Sequence, residues 1–313
     1  MRKAFTFLEL VFVIVVIGIL ANFGTNILVQ TYTSYTASTT NNKMLANVEL
    51  TLKQISNRLQ YRIRSSVIAR NGAGGAFTGL PSAGGGETVI EWIGYDIDGW
   101  LGTAVSTLPT WSGFIDVDDN GPIPPALNAV SSGLYLESPG TSTAAVNAVI
   151  QALSPGGGSG FANSAIFFTG ANSDVNRSYG WNGIAQNIHS ITAAHRVTFG
   201  GTATQLADGT VGPSSFVNTD IYENYKLAWT AYAVSLEDGD GDGALDDLVL
   251  YYDYQPWEGE GFAGGASALL LQNVDTFRFV GVGETIQMQI CVNEDALGAG
   301  DGGYSVCEEI AIF

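Results

Sequence analysis

The stretch FTFLELVFVIVVIGILA, residues 5–21, follows the short basic leader MRKA and is almost wholly apolar. No charged residue follows it before Lys43, and the strongly apolar part continues to Val29. This length is close to the ~20 residues that an α-helix needs to cross a bilayer. The sequence therefore predicts a leader at 1–4 and a membrane-spanning helix over 5–29.

One acidic residue, Glu9, lies near the start of this apolar segment. A carboxylate in hydrocarbon costs roughly 2.5–3.5 kcal/mol on insertion scales, unless an opposite charge compensates it. A secretory signal peptide is the alternative interpretation, because it also combines a basic start with an apolar run. Glu9 and the poor cleavage site ILAN at 19–22 both disfavour that alternative. Arg2 and Lys3 predict that the N-terminus stays on the cytoplasmic side.

The N-terminal motif resembles that of the type IV pilin and type II secretion pseudopilin family. The matching residues are Phe5, Thr6, Glu9, Leu10, Gly18 and Ala21. The resemblance implies that a prepilin peptidase cleaves between Ala4 and Phe5 and methylates the new amine of Phe5. It also implies that Glu9 pairs with the N-terminal amine of a neighbouring subunit, which would compensate the buried charge. The chain departs from the family pattern at Ala4, where Gly is usual, and at Asn26, where many members have Pro.

The resemblance implies a structural subunit, a pseudopilin or minor pilin, of a type IV filament-like assembly that serves type II secretion, pilus formation or DNA uptake. Such a subunit is a single-pass protein of the bacterial inner membrane with a periplasmic C-terminal domain, and it is incorporated in the filament or reaches the cell surface. The implied partners are other pilin-like subunits, which contact the N-terminal helix, the prepilin peptidase and the inner-membrane assembly platform. The alternative function is a membrane-anchored, calcium-dependent adhesin or binding module.

Charge is divided unevenly along the 313 residues. Residues 1–70 carry eight basic and two acidic side chains, a net charge of +6, whereas residues 71–313 carry four basic and 28 acidic ones, a net charge of −24. An acidic domain repels phosphate backbones, so direct nucleic-acid binding by this part is not expected. Its many glycines favour a loop-rich, β-rich extracytoplasmic domain.

The apolar segment is predicted to continue as a single helix over 30–70, because no proline occurs before Pro81. In this second half, apolar residues recur every three or four positions and predict a stripe that packs on a sheet. The stripe consists of Leu45, Val48, Leu52, Ile55, Leu59 and Ile63. Lys53, Arg58 and Arg62 lie off the stripe, where a solvated face and pairing with acids of another subunit are both compatible with the sequence.

Residues 71–313 are predicted to form the head, which begins with a glycine-rich loop at 71–86. Nine runs predict strands, namely Thr88–Tyr95, Gly113–Val117, Gly133–Leu136, Ala165–Thr169, Ala228–Leu236, Asp247–Tyr254, Val274–Val280, Thr285–Val292 and Glu308–Phe313. A short helix is predicted at Val146–Leu153, and the segment 95–225 is interpreted as an insertion. The predicted fold class is α+β, with a long N-terminal α-helix, transmembrane in its first half, packed on an antiparallel β-sheet in a large β-rich globular head.

The chain has only two cysteines, Cys291 and Cys307, and both lie near its C-terminus. In an extracytoplasmic domain such a pair favours a disulfide, and closing a loop of this size contributes about 3 kcal/mol in the chain-entropy model. A reduced pair is the alternative. A zinc site is disfavoured because no further Cys and no nearby His completes the ligand set.

The acidic stretch at 237–247 resembles a calcium-binding loop. Asp238, Asp240, Asp242 and Asp246 follow the spacing D-x-D-x-D-G-x-x-D, in which alternate carboxylates turn inward and supply hard oxygen ligands. Position twelve is Val249, so the loop lacks the bidentate Glu of an EF-hand and is closer to the helix-free calcium loops of secreted modules. An unliganded acidic turn is the alternative.

No arrangement of residues in the sequence indicates catalysis. His189 and His195 are the only histidines, and they do not form an H-E-x-x-H motif. Ser159 lies in a glycine-rich stretch that lacks the G-x-S-x-G spacing of a nucleophile. The sequence therefore predicts a protein that is not an enzyme.

Overall fold

The computed structural model describes residues 6–102, 108–116, 135–170, 174–184, 194–200, 202–208, 221–239, 241, 243–294 and 304–313. These residues form one long N-terminal helix and a large head of antiparallel sheets, which confirms the predicted α+β fold class. The helices are α1 (Phe7–Leu59), α2 (Ile97–Leu101) and α3 (Thr143–Leu153). Short 3₁₀-helices span Arg64–Ser66, Leu80–Ser82, Pro155–Gly157, Phe161–Asn163, Pro256–Glu258 and Phe262–Gly264.

Helix α1 has 53 residues and is about 80 Å long at the usual helical rise. It ends at Leu59, before the predicted end of the helical segment at residue 70. The chain leaves the helix because it pairs with the sheet instead: the Ile63 N–H donates to the Ile93 carbonyl at 2.8 Å, and Arg62 forms a β-bridge with Gly94. Tertiary pairing thus overrides the helical periodicity of this segment.

The second half of α1 buries the predicted apolar stripe against the head. Its buried residues are Met44, Val48, Thr51, Leu52, Ile55 and Leu59. Leu45 is the exception, because it is 39% exposed and Met44 takes the inward position one residue earlier. Ile63 is buried as predicted, but it lies beyond the end of the helix.

The described residues contain fourteen strands. In chain order they are β1 (Ile68–Arg70), β2 (Phe77–Gly79), β3 (Val89–Gly94), β4 (Tyr135–Glu137), β5 (Ala165–Phe168), β6 (His195–Phe199), β7 (Gln205–Asp208), β8 (Tyr225–Ala228), β9 (Thr230–Glu237), β10 (Asp247–Tyr252), β11 (Ala266–Leu271), β12 (Val274–Val282), β13 (Thr285–Glu294) and β14 (Tyr304–Ile312). Eight of the nine predicted runs contain or overlap a strand.

One predicted strand, Gly113–Val117, is wrong. The described part of this run contributes only an isolated bridge between Phe114 and Asn224. Gly113 has a φ of +69°, and the hydroxyl of Ser112 accepts from the Phe114 N–H, so local turn geometry replaces an extended ladder.

The strands form three antiparallel sheets. A six-stranded sheet has the order β11-β10-β9-β3-β1-β2, a three-stranded sheet has the order β12-β13-β14, and a five-stranded sheet has the order β4-β7-β6-β5-β8. Four strands of the five-stranded sheet lie within the segment 95–225, which also contains α2 and α3. The segment interpreted as an insertion therefore supplies most of a separate sheet.

The six-stranded sheet is covered on both faces. Ile90 and Trp92 of β3 point to the core shared with α1 and the three-stranded sheet. The alternate residues Val89 and Ile93 point to a second core shared with β5 and β8. A third core fills the space between the five-stranded sheet and α3. Because both faces of β3 are buried, its sequence VIEWIG does not alternate between apolar and polar residues, and Glu91 is its only charged residue.

Candidate functional site

The first half of α1 extends away from the head with its apolar side chains exposed. Its exposed large apolar residues include Phe7, Leu8, Phe12, Ile14, Leu20, Phe23, Ile27 and Leu28, each at least 60% exposed. The helix is long and apolar enough to cross a membrane, and none of its most apolar window is buried within the chain. Such a segment fits a membrane anchor or a signal sequence.

Glu9 lies in the first turn of α1 and is solvent-exposed within the isolated chain. A carboxylate in this position interacts favourably with the positive end of the helix dipole. Among the residues that the structure describes, no side chain pairs with its carboxylate. The next charged residue along the helix is Lys43, about 50 Å away along the axis. An ion-pair partner in the apolar region must therefore come from the N-terminal end of this chain or from another molecule.

The predicted processing residues cannot be placed relative to Glu9. Ala4 and Phe5 lie outside the described residues, as do Arg2 and Lys3. Thr6 is the first described residue, and its carbonyl accepts from the Glu9 N–H at 3.0 Å. Cleavage at Phe5 and its methylation stay predictions.

The fold thus defines a protein whose long helix α1 has two halves in different environments. The first half is apolar and exposed, and the second half is packed in an α+β head. Comparison of the chain with protein-family models, with curated proteins and with solved structures gives no match in any of the three.

The two cysteines form the predicted disulfide. Cys291 on β13 and Cys307 on β14 stand directly opposite each other, with their Cα atoms 4.0 Å apart. Both strands pack against α1. The bond therefore ties together the C-terminal hairpin on which the second half of α1 rests.

The acidic loop connects β9 to β10, as the pattern of flanking strands predicts. The carboxylate of Asp238 accepts from the N–H groups of Gly241 at 2.7 Å and Gly243 at 3.1 Å. Asp247, which the sequence did not single out, is buried and its carboxylate packs on the backbone at Gly239. Asp246 is placed at the end of the loop, where its carbonyl accepts from the Val274 N–H.

Two of the four predicted calcium ligands, Asp240 and Asp242, lie outside the described residues. The part of the chain that the structure describes contains no group of three His, Cys, Asp or Glu residues placed to hold a metal ion. Calcium binding by this loop stays a prediction.

A buried ion pair joins the neighbouring strands β1 and β3 of the six-stranded sheet, where sequence reasoning did not expect charges. Arg70 Nε and Glu91 Oε1 lie 2.5 Å apart and form an ion pair. Their relative orientation does not give a hydrogen bond between these two atoms. The Tyr254 hydroxyl donates to Glu91 Oε2 at 3.0 Å. Burial raises the pKa of Glu91 to about 7, although the Arg70 charge opposes this rise. No local motif marks the pair, because its two residues lie on different strands and meet only when β1 pairs with β3.

Two other buried ionisable groups serve the fold. Asp96 caps α2 by accepting from the Gly99 N–H, and burial raises its pKa to about 6. His195 on β6 is buried against the Phe168 ring, and burial lowers its pKa to about 4. His189 lies outside the described residues. Ser159 donates to the Asp253 carboxylate at 2.6 Å, so its hydroxyl fixes a loop.

Proposed function

We propose that the protein is a structural subunit, a pseudopilin or minor pilin, of a type IV filament-like assembly. The observation that carries this proposal is the division of α1 into an exposed apolar half that begins with Glu9 and a second half that is packed in the head. The apolar half is stable in a bilayer, and it is equally suited to bundling with the same half of other subunits once it leaves the bilayer.

In the proposed mechanism the protein acts by assembling with other subunits, and it does not catalyse a reaction. In a helix bundle Glu9 would lose its water, and this loss is costly unless a cation replaces it. The N-terminal amine of an incoming subunit, freed at Phe5 by the prepilin peptidase, supplies that cation in the proposal. Pairing therefore selects the axial position of the incoming helix, and the acidic head remains on the outside of the filament.

The role proposed for the assembly is type II secretion, pilus formation or DNA uptake from the inner membrane. The disulfide supports a periplasmic head, because such bonds persist in oxidising compartments. The rival function, an adhesin or binding module that is merely anchored by α1, requires neither cleavage at Phe5 nor a partner for Glu9.

Intact-mass spectrometry of the membrane-purified chain, expressed with and without a prepilin peptidase, tests this proposal. The expected species with the peptidase lacks residues 1–4 and carries one methyl group on Phe5. An Ala4→Gly variant is the positive control, because it restores the residue that usually precedes the cut, and Phe5→Asp is the uncleaved control. A chain that stays uncleaved in both the wild type and Ala4→Gly, or that is cut near Ala21, would contradict the proposal.

We also propose that the loop at 238–246 binds Ca²⁺ as a structural ion. The donor set of Asp238, Asp240, Asp242 and Asp246 consists of the hard oxygens that calcium prefers. The buried carboxylate of Asp247 adds a further negative charge at the base of the loop. A bound cation would relieve the repulsion among these acids.

A further inference from the structure

A cleft of about 530 Å³ opens beside α1 on the face of the six-stranded sheet that this helix covers. Its floor comes from β3, β9, β10 and β11, one wall comes from α1 and the other from the start of α2. Gly94 on β3 leaves room for the Tyr232 ring, since a Cβ there would lie 2.6 Å from the ring carbon Cε2. The volume lies within the range of ~300–1,000 Å³ typical of small-molecule sites.

Four tyrosines line this cleft, and their hydroxyls are available to solvent or to a ligand. Within the described ranges, no group hydrogen-bonds to the hydroxyl of Tyr61, Tyr95, Tyr232 or Tyr252, although all four side chains are partly buried. Four other tyrosine hydroxyls of the head do have protein partners, whereas those of Tyr135 and Tyr222 have none among the described residues. Those bonded residues are Tyr179, Tyr225, Tyr251 and Tyr254.

The unpartnered hydroxyls require hydrogen bonds from outside the chain. None of the four is a buried unpaired atom, so water reaches each hydroxyl in the open cleft. A ligand that displaces this water loses affinity unless it supplies equivalent hydrogen bonds. Burial raises the pKa of Tyr95 and raises that of Tyr232 to about 12, so both remain neutral and able to donate and accept. Four such groups in one cleft can serve a ligand that is itself rich in hydroxyls.

The charges around the cleft are of both signs, so they give no strong preference for an anion or for a cation. Asp96 and Asp98 lie on one wall and Arg58 lies on the opposite wall, so the attraction of any ion to one wall is offset by its repulsion from the other. The ammonium of Lys226 already lies 4.5 Å from the centre of the Tyr95 ring, where a cationic ligand would otherwise bind. A neutral ligand rich in hydroxyls can accept from Arg58 and donate to the carboxylates without a net charge of its own.

We propose that this cleft binds a neutral saccharide of one or two pyranose rings. The apolar faces of a pyranose pack on tyrosine rings, and its hydroxyls both donate to and accept from the four tyrosines and the planar side chains of Gln54 and Asn57. This site is independent of the filament proposal, because it lies entirely in the head and does not involve the exposed half of α1.

Saturation-transfer NMR on the full chain in phospholipid nanodiscs tests the proposal, since nanodiscs avoid detergents with sugar headgroups. The probes are glucose, galactose, N-acetylglucosamine, maltose, lactose and chitobiose. The wild type is expected to transfer saturation to at least one of these sugars. Titration of that sugar is expected to show about fivefold weaker binding for Tyr232→Phe and for Tyr252→Phe, which each remove one hydroxyl.

Tyr251→Phe is the matched control, because it lies next to Tyr252 on the opposite face of β10 and its hydroxyl donates to Glu237. It is expected to bind the sugar like the wild type, and a thermal melt of each variant checks its folding. If one cleft variant fails to fold, the other carries the test. No binding of any listed sugar by the wild type, an equal loss in Tyr251→Phe, or binding of tetramethylammonium or inorganic phosphate at this cleft in place of sugars would overturn the proposal.

Discussion

At the scale of single residues, buried ionisable groups determine how the head responds to pH. His195 is 4% exposed, and no hydrogen bond reaches its Nδ1 from the described residues. Burial lowers its pKa from 6.5 to about 4 because the protonated ring cannot be hydrated. The folded chain therefore binds this proton less readily than the unfolded chain, and stability that is present above pH 6.5 is lost as the pH falls towards 4.

Removing His195 should abolish this part of the pH dependence. Between pH 6.5 and 4.5 the unfolding free energy of the wild type is expected to fall by about 2 kcal/mol more than that of a His195→Leu variant. Urea unfolding of both chains at several pH values measures the difference in slope. Other groups contribute equally to the two chains, so parallel slopes would show that His195 does not titrate as described.

The Arg70–Glu91 pair should be more sensitive to loss of one partner than to loss of both. Arg70→Met leaves the Glu91 carboxylate buried without its cation, and we expect a loss of about 3 kcal/mol. The double variant Arg70→Met, Glu91→Leu is expected to recover most of that loss, because it removes both charges. Arg64→Met is the control, since the Arg64–Glu284 pair is exposed and such pairs contribute little. Equal losses in Arg70→Met and Arg64→Met would contradict this account.

At the scale of elements, what the sequence predicts depends on how local the controlling interactions are. The stripe from Val48 to Leu59 is readable because helical periodicity lies within one segment. The end of α1 is not readable, since it is set by pairing of Ile63 with Ile93 thirty residues later. The sequence does not predict the three-residue strands β1 and β2 for a similar reason. They are too short to show an alternating pattern, and they form only by pairing with each other and with β3.

The site was predictable to a similar extent. Glu9 and the cysteine pair are conspicuous in the sequence, because one is a charge in an apolar run and the other is an isolated pair. The cleft tyrosines are not conspicuous, since only the fold reveals that four hydroxyls lack partners. Position along the chain places Tyr61 far from Tyr232, and only the sheet brings them together.

The loop between β9 and β10 should respond to calcium. Adding Ca²⁺ after chelation is expected to raise the Tm of the wild type by a few degrees, since about 1 kcal/mol of ligand binding shifts a large domain by ~2–4 °C. Asp238→Asn should lose the shift, whereas Asp275→Asn on the exposed side of β12 should keep it. Differential scanning calorimetry in chelator and in Ca²⁺ makes the comparison. Identical melts in both buffers would leave the loop as a plain acidic turn.

At the scale of the whole molecule, the head and the first half of α1 require opposite surroundings, water for the head and an apolar medium for the helix. The head encloses the second half of α1 among the three- and six-stranded sheets and a disulfide-bonded hairpin, and it carries most of the acidic side chains. The first half of α1 exposes an apolar surface that is unstable in water and suited to lipid or to other helices. The proposed filament assembly would satisfy both parts, because the helices would leave the bilayer only to pack on one another.

The most direct test of the central proposal is to measure how much of the chain enters filaments when Glu9 is replaced. In cells that contain the assembly machinery, filaments are sheared from the surface and the tagged chain is quantified there and in the membrane. Glu9→Ala is expected to lower the filament fraction at least about tenfold with an unchanged membrane amount, because the incoming amine loses its partner. Glu49→Ala, an exposed acid on the same helix, should incorporate like the wild type. Equal incorporation of Glu9→Ala and wild type would contradict the proposal.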